Sequence, residues 1–127
     1  MIAIDYLDSG REHAAPILKV VFLHPDETWS TDEMECRIDT GADRTVLPAH
    51  IASLLSIDEV DKLEFAGYDG HVSELTIGIV HVRIGTLDSY PVAIAFGEFV
   101  EDVLLGRDVL NQYRILLDGP NRRLEIQ

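Results

Sequence analysis

Residues 36–48 read Cys-Arg-Ile-Asp-Thr-Gly-Ala-Asp-Arg-Thr-Val-Leu-Pro. A strand-forming stretch runs into Asp39-Thr40-Gly41, then a polar loop, then a second apolar stretch at Thr45-Val46-Leu47. This order puts a carboxylate on a tight turn at the end of a strand. Gly41 has no Cβ, so it lets the backbone come close to the carboxylate and tolerates unusual φ. Neighbouring N–H groups can then hydrogen-bond the Asp39 carboxylate and hold it as an acceptor. Thr40 adds a hydroxyl able to donate to backbone. One such carboxylate does little alone. Two of them about 3 Å apart share a proton, because both cannot ionise together. One then deprotonates a water while the other protonates a scissile carbonyl, and the pair titrates as a unit.

The rest of the sequence sets what can carry this group. The chain has 127 residues, which suits one domain spanning 1–127 and leaves no room for two full-sized ones. Chemistry that needs two lobes must therefore recruit a second chain. The chain is 46% hydrophobic and 26% charged, enough for an ordinary core. With 23 Asp and Glu against 10 Lys and Arg, the net charge is −13. That charge argues against nucleic acid and anionic membrane surfaces as partners. Cys36 is the only cysteine, so no intramolecular disulfide forms. The N-terminus carries no basic, apolar leader pattern, and no apolar run is long enough for a membrane span. The expected compartment is the cytoplasm. His13, His24, His50, His71 and His81 are not at close ligand spacing with one another or with Cys36, so no metal and no cofactor is expected.

Strand signals dominate the positioning elements. Alternation or β-branched runs predict strands at Ile2–Tyr6, Pro16–Leu23, Glu33–Ile38, Leu75–Ile84, Tyr90–Phe96, Arg114–Leu117 and Leu124–Ile126. Short helices are expected over Pro48–Leu55, with Pro near the first turn, and over Asp108–Tyr113, with Asp108 near the N-cap. Many short strands and two short helices imply an all-β closed or sandwich-like architecture.

At this point the sequence resembles a known family. Ile38-Asp39-Thr40-Gly41-Ala42-Asp43-Arg44-Thr45-Val46-Leu47 looks like the active-site motif of retropepsin-like aspartic proteases, the single-lobed retroviral type. Val103-Leu104-Leu105-Gly106-Arg107-Asp108-Val109-Leu110 resembles the family's second segment, in which a strand passes beside the active-site loop and is followed by a short helix. The resemblance covers roughly residues 33–126 and implies a small closed acid-protease β-barrel with one Asp-Thr-Gly loop per chain. It implies a homodimeric aspartic endopeptidase acting on a peptide or protein substrate. By this resemblance Asp39 is the catalytic aspartate, Thr40 reaches the partner loop across the dimer axis, and Gly41 contacts substrate and dyad. Ala42 and Asp43 face substrate, and Asp43 pairs with Arg107. Leu105, Gly106 and Arg107 support the loop. The hairpin around 65–72 is the flap, with Gly67, Tyr68, Asp69 and Gly70 at its tip. That tip carries fewer glycines than retroviral members, and about a dozen more residues precede the Asp39 motif.

Plainer readings stand beside these. Asp39 alone could be an ordinary turn aspartate, and the fold could be a peptide-binding or dimerisation module without turnover. Asp8-Ser9-Gly10 lacks a following apolar strand and reads as a turn. Cys36 reads as a packed thiol, Trp29 as packing locally over the barrel, and His81 as solvent-facing. Tyr68 reads equally well as a substrate contact or an ordinary hairpin aromatic. Glu98, Glu101 and Asp102 read as a solvated loop or as a bias against acidic substrates.

Overall fold

The computed structural model describes the chain except Ser9, Arg11 and residues 67–69, and describes Phe65 and Ala66 by their backbone only. Its elements run β1 (Ile2–Asp5), β2 (Ile17–Leu23), β3 (Met34–Ile38), β4 (Val46–Pro48), α1 (Ala49–Leu54), β5 (Asp61–Ala66), β6 (Val72–Ile84), β7 (Tyr90–Gly97), β8 (Val103–Leu105), α2 (Arg107–Leu110), β9 (Ile115–Asp118) and β10 (Arg123–Ile126). The fold is all-β, with two short helices, as the strand-rich sequence predicts. Three strands escape periodicity. β4 and β8 have three residues each, too few to show alternation, and β5 carries a mixed Asp-Lys-Leu-Glu pattern on an exposed arm.

β6 is the organising strand because its 13 residues serve three neighbours. Its first half pairs with β5, from Asp61↔Ile77 to Ala66↔Val72. Its second half lies between β7, through Val80↔Val92, and β2, through Phe22↔Val82. The main sheet runs β4-β7-β6-β2-β3-β8, with β5 branching from β6. A second sheet, β1-β10-β9, joins the two ends of the chain.

The core follows the pleat. Leu18, Val20 and Phe22 of β2 face Val80, Val82 and Ile84 of β6 in one cluster with Ile94, Leu105 and Val109. Phe22 is fully buried, and truncating such a side chain costs about 3–5 kcal/mol. In β2 only Lys19 is exposed, and Val21, on the same face, is half-buried, while Leu18, Val20 and Phe22 make the fully covered face.

Two parallel pairings bracket the Asp39 loop. β3 lies parallel to β8, and β4 lies parallel to β7. The loop therefore leaves one fixed strand and enters another. β4 and β8, the two ends of the main sheet, come together at this loop through side chains rather than a ladder, nearly closing a barrel.

Candidate active site

Asp39 follows directly on β3, and its N–H donates to the Leu105 carbonyl at 3.0 Å, continuing the β3–β8 pairing by one residue. The chain then turns. The Ala42 N–H donates to the Asp39 carbonyl at 3.2 Å, and the Gly41 N–H donates to Asp39 Oδ1 at 3.0 Å. The carboxylate is thus oriented by its own turn. Asp39 is half-buried, while Thr40, Gly41 and Asp43 are exposed.

Of the two properties expected of Gly41, the turn uses the close approach and not an unusual φ. The left-handed glycines among the described residues are Gly10, Gly70 and Gly85. A Cβ on Gly41 would lie 3.3 Å from Asp39 Oδ1, pressing on the atom that the turn has to hold.

Behind the loop, β8 and α2 supply a rigid backing. At Gly106 a Cβ would meet Arg44 backbone at 2.8 Å and the Ala42 carbonyl at 3.0 Å, neither of which can swing aside. Only glycine allows this approach. The Arg107 N–H donates to the Ala42 carbonyl at 2.9 Å. Its guanidinium divides its fork, with Nη1 donating to the Thr40 carbonyl at 2.8 Å and Nη2 donating to Asp43 Oδ1. The Asp43 side chain is 91% exposed, so this pair contributes little to stability by charge alone. Its consequence is positional, because one planar group holds the loop at two points.

Asp108 corrects the sequence reading. The α2 N-cap is Gly106, with no side-chain cap, and Asp108 is the second residue of that helix. Its carboxylate accepts the Thr45 N–H at 2.9 Å, the Thr45 hydroxyl at 2.7 Å and the Val109 N–H at 2.9 Å. The buried Thr45 hydroxyl in turn accepts the Gly106 N–H at 2.9 Å. A buried hydroxyl has to be satisfied, and Asp108 does this across the gap between the sheet ends. Arg44, on the same loop, donates from Nη1 to the Ala93 carbonyl of β7 at 3.0 Å. Sequence reasoning assigned no role to Thr45, Asp108 as a partner of the loop, or Arg44. Thr45 and Asp108 each lie within a quoted motif, but neither motif alone reveals the partner in the other.

A cavity of about 700 Å³ opens beside Gly41, Ala42, Asp43 and Arg44, with Leu63 of β5 and Leu75 of β6 also lining it. β5 and β6 form the arms of the expected flap. Gly67, Tyr68 and Asp69, assigned to its tip by resemblance, lie outside the described residues; Gly70 is exposed, with φ at 81°.

Elsewhere, Cys36 is fully buried, and burial pushes its thiol up to about 12, so it is no nucleophile near neutral pH. His81 alternates with the buried Val80 and Val82, so it lies on the less buried face of β6, as expected, but only half-exposed: its Nδ1 is buried without a hydrogen-bond partner, 4.0 Å from Glu27 Oε2. Trp29 is 59% exposed and does not pack down as expected. Burial raises the Tyr90 hydroxyl well above the usual tyrosine range, and burial also raises that of Tyr113. Among the described residues no three His, Cys, Asp or Glu side chains gather as a metal site, and no helix is long and apolar enough to cross a membrane.

With this geometry in view, residues 30–112 match the family model described as gag-polyprotein putative aspartyl protease. The chain belongs to that family. The matched span contains β3, the Asp39 loop, the β5–β6 arms, β8 and α2, so it includes every part of the site described above. The solved structures similar to the chain share its fold. A retropepsin-like aspartic protease from Rickettsia conorii superposes with a TM-score of 0.61 at 17% identity, covering 97% of this chain and 86% of that one. The protease of EIAV, complexed with the inhibitor HBY-793, gives 0.57 at 19% identity, covering 84% and 91%. The retroviral protease-like domain of Ddi1 from Leishmania major gives 0.54 at 18% identity, covering 87% and 88%. No curated protein matches the chain.

Proposed function

We propose that this chain is one half of an aspartic endopeptidase, completed when two copies bring their Asp39 loops together on a two-fold axis. The observation that carries the reading is the Asp39 carboxylate itself, at the end of β3 and held by the Gly41 N–H within the family-matched span. In the dimer one Asp39 takes a proton from water while the other protonates the scissile carbonyl oxygen. The water oxygen bonds to the carbonyl carbon, and collapse of that adduct, with protonation of the amine, breaks the C–N bond. The substrate is an extended peptide lying across both loops under the β5–β6 arms, which pair with its main chain and exclude water.

Two features support a second copy as the partner. Thr40, assigned by resemblance to the dimer axis, is exposed at the rim of the loop. β9 is an outer strand of its sheet, and its Leu116 and Leu117 are each 46% exposed. An open strand edge carrying leucines invites pairing, and an isologous dimer would cover the same edge on both chains.

The test is peptide hydrolysis by Asp39→Asn, with sedimentation of both proteins. Loss of cleavage in a folded, still dimeric variant is the expected result. Undiminished cleavage would overturn the mechanism, and a strictly monomeric wild type at high concentration would overturn the half-site reading.

A further inference from the structure

The cavity beside the Asp39 loop has a definite chemistry. Its walls are apolar, formed by Val46, Leu63, Leu75, Val100 and Leu104 among others, and it is large enough for a bulky side chain. Phe99 stands at its edge, 96% exposed, and also lines an adjoining groove of about 710 Å³ that runs toward Ala49 and Ala52 of α1. An almost fully exposed phenylalanine between two hollows is a wall waiting for a ligand on either side.

The charges at the mouth are not balanced. The cavity lining carries Asp43, Arg44, Glu101 and Asp102. Asp43 is engaged by Arg107, and Arg44 by the Ala93 carbonyl. Glu101 and Asp102 are exposed and make no ion pair among the described residues. In the adjoining groove Glu98 is likewise exposed, while Glu74 is matched by Lys62 at 3.2 Å. The unmatched charge along the 98–102 loop is therefore negative.

We propose that this site selects peptides placing a large apolar side chain in the cavity and a lysine or arginine next to it, against Glu101 and Asp102. This rests on the peptide-binding reading above and adds the substrate class. The apolar residue supplies burial, and the cation is chosen by complementarity, which also disfavours acidic neighbours.

The experiment separates selection from catalysis. Fluorescent decapeptides with a central Lys-Leu, Glu-Leu or Lys-Ser pair are titrated into Asp39→Asn by anisotropy, and the same peptides are offered to the wild type for cleavage. The Lys-Leu peptide should bind roughly tenfold tighter than Glu-Leu, since two surface carboxylates are involved. The gap should narrow to about twofold in Glu101→Gln/Asp102→Asn and shrink at about 1 M salt. Lys-Ser should bind at least as poorly as Glu-Leu. Equal binding of Lys-Leu and Glu-Leu, a gap untouched by the double variant, or binding of none of the peptides would overturn the proposal. Preferential binding without wild-type cleavage would leave the selection standing and remove the endopeptidase; cleavage without preference would do the reverse.

Discussion

The Asp108 carboxylate accepts both the N–H and the hydroxyl of Thr45, at 2.9 and 2.7 Å, across 63 residues of sequence. The Thr45 hydroxyl passes the connection on by accepting the Gly106 N–H. Three residues thus join the loop that carries Asp39 to the strand and helix behind it. The loop that carries the Asp39 carboxylate is thus held from behind as well as by its own turn.

Thr45→Val keeps the shape of the side chain and removes its hydroxyl, leaving the Gly106 N–H and part of the Asp108 carboxylate unsatisfied. The expected cost is about 1–3 kcal/mol of unfolding free energy, read by chemical denaturation. An unchanged midpoint would show that the junction is not stabilising.

Gly106→Ala and Gly41→Ala separate two kinds of close approach. At Gly106 the new Cβ meets backbone at 2.8 Å, so the variant should lose about 1–3 kcal/mol or more. At Gly41 the contact is 3.3 Å to Asp39 Oδ1, so hydrolysis should fall much more than stability. Thermal unfolding and a cleavage assay on both variants check the contrast, which fails if Gly41→Ala is the less stable protein.

Mixing tests whether the site is shared. With nine parts of Asp39→Asn to one of wild type, random exchange of subunits should lower activity per wild-type chain by about tenfold. Activity indifferent to the added variant would mean that each chain works alone.

The Asp26 turn between β2 and β3 predicts an acid effect. The Thr28 hydroxyl and N–H both donate to Asp26 Oδ1, which holds its carboxyl at about 2, below the usual aspartate value. A carboxylate depressed in the folded state contributes stability above its unfolded value and loses it as pH falls through the folded one. The stability difference between wild type and Asp26→Ala should therefore persist at pH 7 and fade between about pH 4 and pH 2. A difference that survives undiminished at pH 2 would assign it to something other than the charge.

Leu116→Glu probes the β9 edge. In the proposed dimer it should shift the protein toward monomer and reduce cleavage together, while a dilute monomer keeps its melting temperature. A variant that remains dimeric would place the interface elsewhere.

Local order was legible in the sequence. The Asp-Thr-Gly turn, the alternation of β6 and the Leu-Leu-Gly-Arg-Asp segment depend on neighbouring residues, whose types set period and turn chemistry directly. By themselves they sufficed for an all-β closed or sandwich-like architecture; the acid-protease barrel and the choice of Asp39 came from the family resemblance that the Asp-Thr-Gly and Leu-Leu-Gly-Arg-Asp segments carry. What needed the tertiary structure was every relation across the chain. No periodicity marks β4 or β8, because three residues become strands only when a parallel neighbour supplies their hydrogen bonds. Nothing local says that Asp108 bonds Thr45 across 63 residues, or that Gly106 is glycine because a Cβ there would meet the Arg44 backbone at 2.8 Å. Those facts arise when closing the barrel brings its two ends together, and buried donors and acceptors must then be matched by whichever residues the closure has placed there.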